Sequence, residues 1–202
     1  PLKELWKNFK FEVVVSITVS ACYLGTSYSA MMFGNRLFQQ AGYPVSHSML
    51  YSFIDLLWAS IALRIAGYIA DRIGSQQLLK LGIMLLAVVA LPVCYLISGE
   101  LTLAKIYTYM TIMTFLSSVV LCCAANYATA MFPVKCRYSG YSITDSIGSI
   151  IGGFTPFMML LFADLFHSNL WCVLWIYILT IPTFLLVSIM NKKINSREEE
   201  IL

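Results

Sequence analysis

The chain has 202 residues, of which 59% are hydrophobic and only 11% charged, with a net charge of +3. A soluble globular domain carries about 25% charged residues, and here the few charges cluster between apolar stretches of about 20 residues or more, the length a helix needs to cross roughly 30 Å of hydrocarbon. Six such stretches leave too little polar sequence to cover a soluble core, so the composition implies an all-α membrane protein that crosses the bilayer repeatedly.

The opening "PLKELWKNFKFE" is a charged lead-in without an initiator Met, as expected of a piece cut from a longer chain. Spans are predicted at 11–33, 46–70, 78–98, 104–131, 139–165 and 170–190. Residues 1–10 then read as the end of a cytoplasmic linker, 11–190 as a six-helix bundle and 191–202 as a cytoplasmic tail. Ten Lys and Arg fall at one side (Lys3, Lys7, Lys10, Arg72, Lys80, Lys135, Arg137, Lys192, Lys193, Arg197), against Arg36 and Lys105 at the other. The positive-inside rule therefore predicts cytoplasmic termini. Arg64 lies within a span.

In the first span Ser16, Ser20, Tyr23 and Ser27 recur at one helical face. Tyr107, Thr111, Thr114 and Ser118 do the same in the fourth. The second carries His47, Tyr51 and Asp55, and the fifth Ser142, Asp145, Ser146 and Ser149. The third and sixth are nearly free of such stripes and read as lipid-facing. Hydroxyl stripes serve helix packing as well as water, yet four helices sharing one favour a common aqueous hollow. Asp55 and Asp145 carry more weight, because a carboxylate at the centre of a span costs about 2.5–3.5 kcal/mol on insertion scales. Each reads either as a proton or substrate group or as a structural acid paired within the bundle. Gly148 and Gly152 form a GxxxG pair suited to close helix contact, with Gly153 and Pro156 following. Pro92 and Pro182 are candidate kinks.

The six cysteines show no C-x-x-C spacing and read as packing residues. His47 and His167 form no H-E-x-x-H motif. No metal, cofactor, nucleic-acid partner or enzymatic activity is expected.

"GYIADRIGSQQLL" (67–79) resembles the loop signature of the major facilitator superfamily through Gly67, Ala70, Asp71, Arg72, Gly74 and Leu79, with Ser75 and Gln76 where two basic residues are usual. "MFPVKCRYSGYSITDSIGSIIGGFTPF" (131–157) resembles the metabolite:proton symporter branch through Phe132, Pro133, Arg137, Tyr138, Ser139, Gly140, the glycines at 152 and 153, and Pro156. That branch includes proline/betaine, 2-oxoglutarate, citrate and shikimate transporters. Asp145 stands where an aromatic or apolar residue is usual.

The resemblance implies the C-terminal half of a twelve-span transporter in a bacterial inner membrane, with an N-terminal half as partner. It implies proton-coupled uptake of a small organic acid or zwitterion, proline- or betaine-like. Asp55 and Asp145 are then candidate proton or substrate groups, with Tyr23, Tyr51, Tyr107 and Asn126 as candidate contacts. Gly67, Asp71, Arg72, Gly74 and Arg137 would form a conformational latch. The alternative is a non-transporting six-helix remnant or partner subunit.

Overall fold

The computed structural model describes residues 9–199. Six helices are long and apolar enough to cross a membrane: α1 (Lys10–Gln40), α2 (Val45–Ile73), α3 (Ser75–Leu96), α4 (Leu103–Ala130), α5 (Arg137–Leu165) and α6 (Asn169–Lys192). The expected linker at 1–8 and the last tail residues, 200–202, lie outside the described residues. The helix of α6 continues to Glu199.

Punctuation residues set the helix limits. Pro44 sits in an extended conformation immediately before α2, because its ring removes an amide donor and it precedes a fresh first turn. Gly74 alone separates α2 from α3, with φ at 89°, a left-handed value that side chains resist. α1 overruns its predicted end through a π-helical turn at Ser29–Phe33. Gly34 then lets α1 press onto Met110 of α4. α5 is interrupted at Phe154 and restarts as Thr155–Leu165 with Pro156 in its first turn, where a missing N–H costs nothing. α3 and α6 run unbroken through Pro92 and Pro182.

α1 and α4 form the centre and are the most buried of the six. α5 and α6 pack on α1, while α2 and α3 pack on α4, and α3 also meets α6. The core between α1 and α4 is filled by Phe33, Leu37, Tyr109, Met110 and Met113. α3 and α6 make a back layer, with Leu81, Val88 and Leu91 and with Ile178, Leu185 and Ile189 turned outward. That outward face fits the lipid-facing expectation. It is shared, however: α2 and α5 are the least buried helices, and they expose Phe53, Leu57 and Ile61 and Ile150, Phe154 and Phe157.

The tightest seam joins α1 and α5. A methyl group on Gly148 would lie 2.9 Å from the Ala21 backbone nitrogen, and one on Gly152 2.9 Å from that of Gly25. Backbone cannot yield as a side chain can, so the GxxxG pair serves close approach, as its spacing predicts. Gly153 faces open space. Gly148→Ala and Gly152→Ala should each destabilise the protein by about 1–3 kcal/mol through overpacking, whereas Gly153→Ala should be neutral or better. Thermal unfolding in detergent micelles checks the contrast.

Candidate functional site

Two polar seams occupy the middle of the bundle. In the α2–α4 seam, the Tyr51 and Tyr107 rings stack with centroids 4.9 Å apart and planes 13° from parallel. The Tyr51 hydroxyl shares a 2.8 Å hydrogen bond with the Thr111 hydroxyl. Trp58 Nε1 donates to the Thr111 carbonyl at 3.2 Å. One turn beyond Tyr51, Asp55 is buried against α4 with the Thr114 hydroxyl facing it. Its Oδ1 has no hydrogen-bond partner. Asp55 lies ten residues into α2, about 15 Å along the axis and so near the middle of a 30 Å hydrocarbon layer.

In the α1–α5 seam the acid is satisfied. Asp145 Oδ1 accepts hydrogen bonds from Ser20 Oγ at 2.9 Å and from the Tyr23 hydroxyl at 2.8 Å. Ser16 and Thr144 hydroxyls meet at 2.7 Å one turn away. The Tyr141 hydroxyl lies beside that of Tyr23.

The hydroxyl stripes therefore close helix seams. Ser16, Ser20, Thr114 and Ser118 are buried. These four do not line a hollow within this chain, whereas Ser146 is exposed and Ser27, Ser142 and Ser149 are half-buried. The reason is that a hydroxyl facing another hydroxyl or a carboxylate stabilises a helix contact in a medium without water.

The sequence-predicted residues separate into groups. Tyr51, Tyr107 and Asp55 come together. Tyr23 joins Asp145, in the other seam. Asn126 is exposed four residues before the end of α4, roughly 6 Å from that end and away from the aromatic pair. Gly74 makes the turn between α2 and α3. Gly67 does not permit a close contact: a methyl group there would meet only Cys122 Sγ, at 3.9 Å. Arg72 hydrogen-bonds and stacks on Tyr68 of its own helix, with its guanidinium 4.4 Å from the ring centroid. Asp71 is exposed beside it. Arg137 Nε donates to the Phe132 carbonyl at 3.3 Å. Within this chain the expected latch thus makes local contacts and does not clasp neighbouring helix ends, because its charges point away from the bundle. Arg64 is exposed, nine residues from Asp55 and so on the opposite face of α2. The cysteines are free thiols, all buried except the half-buried Cys122.

A repeat joins the two seams. "YSFID" (51–55) on α2 answers "YSITD" (141–145) on α5, 90 residues on. The face Ser16, Ser20, Tyr23, Ser27 answers Tyr107, Thr111, Thr114, Ser118 with the same intervals, 91 residues on. Packing follows the same rule, since α1 meets α5 and α6 as α4 meets α2 and α3. Three spans separate the copies, an odd number, so the second copy lies inverted in the membrane. Reading each helix alone misses this signal; aligning the chain with itself finds it.

The sequence pattern of the family described as "Sugar (and other) transporter" matches residues 1–197. The chain belongs to this family, within the major facilitator superfamily. It is 26% identical over 157 residues to the inner membrane metabolite transport protein YdjE of Escherichia coli (strain K12), covering 75% of this chain and 34% of that protein. It is 26% identical over 168 residues to the shikimate transporter of the same organism, covering 81% of this chain and 37% of that protein. The chain thus spans about a third of the length of these curated relatives. No solved structure matches it significantly. The membership makes this a transmembrane protein of a transporter family.

The Tyr51–Thr111 bond joins two helices through side chains alone. In a double-mutant cycle, Tyr51→Phe and Thr111→Val should show a coupling of about 0.5–1.5 kcal/mol. Tyr107→Ala should cost more than either, because it also removes the stacked ring.

Proposed function

We propose that the chain is the C-terminal six-helix half of a secondary active transporter that carries a small organic acid or zwitterion together with a proton by alternating access. The observation that carries this reading is the Asp55 carboxylate, buried at mid-membrane depth with a partnerless oxygen. A lone carboxylate oxygen out of water is costly, and a proton removes the charge and supplies a donor. An acid so placed suits a group that is loaded from one side and emptied to the other. The family and its two relatives, one named for metabolites and one for shikimate, support a small organic substrate. The stacked Tyr51–Tyr107 pair adds an aromatic face for a cationic centre, which favours proline- or betaine-like zwitterions within that class.

The outward apolar faces of α2 and α5 are where an N-terminal six-helix half would dock. Arg64 supports the same pairing: it stands on the uncovered face of α2, nine residues or about 14 Å from the Ile73 end of that helix, where a carboxylate or water can meet it. Asp71 and Arg137, exposed at the end of the bundle that carries the termini, would then reach across to that half, while Arg72 braces Tyr68. The excess of Lys and Arg at that end supports cytoplasmic termini in a bacterial inner membrane.

Asp55→Asn keeps the shape of the side chain and removes its proton chemistry. In proteoliposomes containing the complete transporter, the substitution should abolish accumulation driven by an inward proton gradient and leave exchange of labelled for unlabelled substrate intact. Shikimate and proline are the first substrates to try. Accumulation that still follows the gradient in the Asn variant would exclude Asp55 as the proton carrier.

A further inference from the structure

At the end of the bundle opposite the termini lies a cavity of about 610 Å³, separate from both polar seams. Three parts of the fold wall it. The last turns of α1 bring Arg36 and Gln40, the α3–α4 connection brings Ser98, and the end of α5 with the start of α6 brings Asp164, His167 and Asn169. Neither Asp55 and its tyrosines nor Asp145 lines it. Its volume falls in the range that small-molecule sites occupy, roughly 300–1,000 Å³.

The charges set its chemistry. Arg36 and Asp164 line this one cavity from two different helices, and among the described residues they form no ion pair with each other or with any other side chain. Basic residues are scarce at this end: Arg36 and Lys105 lie there, and Lys105 Nζ donates to the Glu100 carbonyl at 3.0 Å. A guanidinium presents parallel N–H donors that fit a carboxylate or a phosphate, and a carboxylate accepts from an ammonium. Two opposite charges held apart across a cavity match one molecule that carries both. A simple anion would gain Arg36 and be repelled by Asp164, and a simple cation the reverse, so the pair selects against each.

The walls are set in advance. Asn169 Nδ2 donates to the Ile97 carbonyl at 3.1 Å, which ties the start of α6 to the α3–α4 connection. Ser168 Oγ accepts from the Leu170 N–H at 3.3 Å, and the Phe166 and Trp171 rings pack with centroids 4.8 Å apart. Between them His167 holds φ at 53°, the left-handed value among the described non-glycine residues, a conformation kept where its surroundings enforce it. A loop already fixed loses little freedom when a ligand binds.

We propose that this cavity is a binding site for a zwitterion, with the anionic centre at Arg36, the ammonium at Asp164, and Gln40, Ser98 and Asn169 supplying neutral hydrogen bonds. A free amino acid and the ethanolamine headgroup of a phospholipid share that chemistry. The site has no residue in common with the Asp55 seam, so it stands independently of the transport reading.

The test uses Ser98→Cys as a reporter in the full chain carrying Cys122→Ser, in nanodiscs of phosphatidylglycerol, a lipid without an ammonium. Maleimide labelling is timed with glycine, β-alanine or 4-aminobutyrate, which space the two charges progressively, and with acetate or ethylamine, which carry one charge each. For a Kd of about 1 mM, a fitting zwitterion at about 10 mM should slow labelling about tenfold, by the factor 1 + [L]/Kd, and the single charges should slow it far less. Labelling without soluble ligand in phosphatidylethanolamine nanodiscs tests the lipid source. Protection in either arm that is lost in Arg36→Gln and in Asp164→Asn supports the site, and the arm that shows it names the source. Both charged residues are exposed, so neither substitution empties a packed position. Gln40→Cys replaces the reporter if Ser98→Cys, whose hydroxyl bonds the Tyr95 carbonyl, folds poorly. Absence of protection in both arms, equal protection by acetate or ethylamine, or protection that survives either charge variant overturns the proposal.

Discussion

Everything polar in this bundle answers to one constraint: inside hydrocarbon no water stands ready to complete a hydrogen bond. Ser16 meets Thr144, Thr111 meets Tyr51, and Ser20 and Tyr23 meet Asp145. Other hydroxyls, such as those of Thr26, Thr180 and Ser188, turn back to carbonyls of the preceding turn. Against that pattern of satisfaction, Asp55 Oδ1 stands apart as the buried side-chain polar atom without a partner among the described residues. That deficit is confined to one carboxylate oxygen in a bundle whose other buried side-chain polar atoms are paired among the described residues.

The same constraint explains why the bundle is layered as it is. α1 and α4 take the centre, where each meets two outer helices and the other central one. α3 and α6, richest in aliphatic residues, brace them from behind. α2 and α5 have one face sewn to the centre by the seams and another that is apolar and uncovered. Arg64 breaks the uncovered face of α2 about 14 Å from the Ile73 end, which separates that face from the outer faces of α3 and α6: a charged group belongs opposite protein or water rather than acyl chains.

The six helices were legible in the sequence because hydropathy over about 20 residues is a strong local signal. The turn at Gly74 and the close contact at Gly148 and Gly152 were legible too, since each rests on the absence of a Cβ. What was not legible was where a polar face goes. A Ser at i and i+4 announces a face, but a hollow and a facing hydroxyl satisfy it equally well, and only the packing chose. Tyr23 and Asp145 were nominated separately and turned out to be bonded to each other. Asn126 shares a helix with Tyr107 yet lies some five turns away. The motif around Gly67, Asp71 and Arg72 names residues but not contacts, so it does not reveal that Arg72 rests on Tyr68 or that Arg137 donates to the Phe132 carbonyl.

The inverted repeat ties these points together. Ser16 to Ser27 and Tyr107 to Ser118 keep the same intervals because each stripe is cut to meet a Tyr-x-x-x-Asp step, and that shared demand sets the register of both seams. The residues nevertheless differ: glycines at 148 and 152 draw α5 tightly onto α1, while α2 offers the larger Trp58 and Ala62 and Ala66 to α4. Close approach brings Ser20 and Tyr23 within reach of Asp145; the looser α2–α4 seam leaves room for a tyrosine stack, and there Asp55 meets Thr114 while its Oδ1 stays without a partner. The unequal state of the two acids therefore follows from backbone separation, not from the acids themselves.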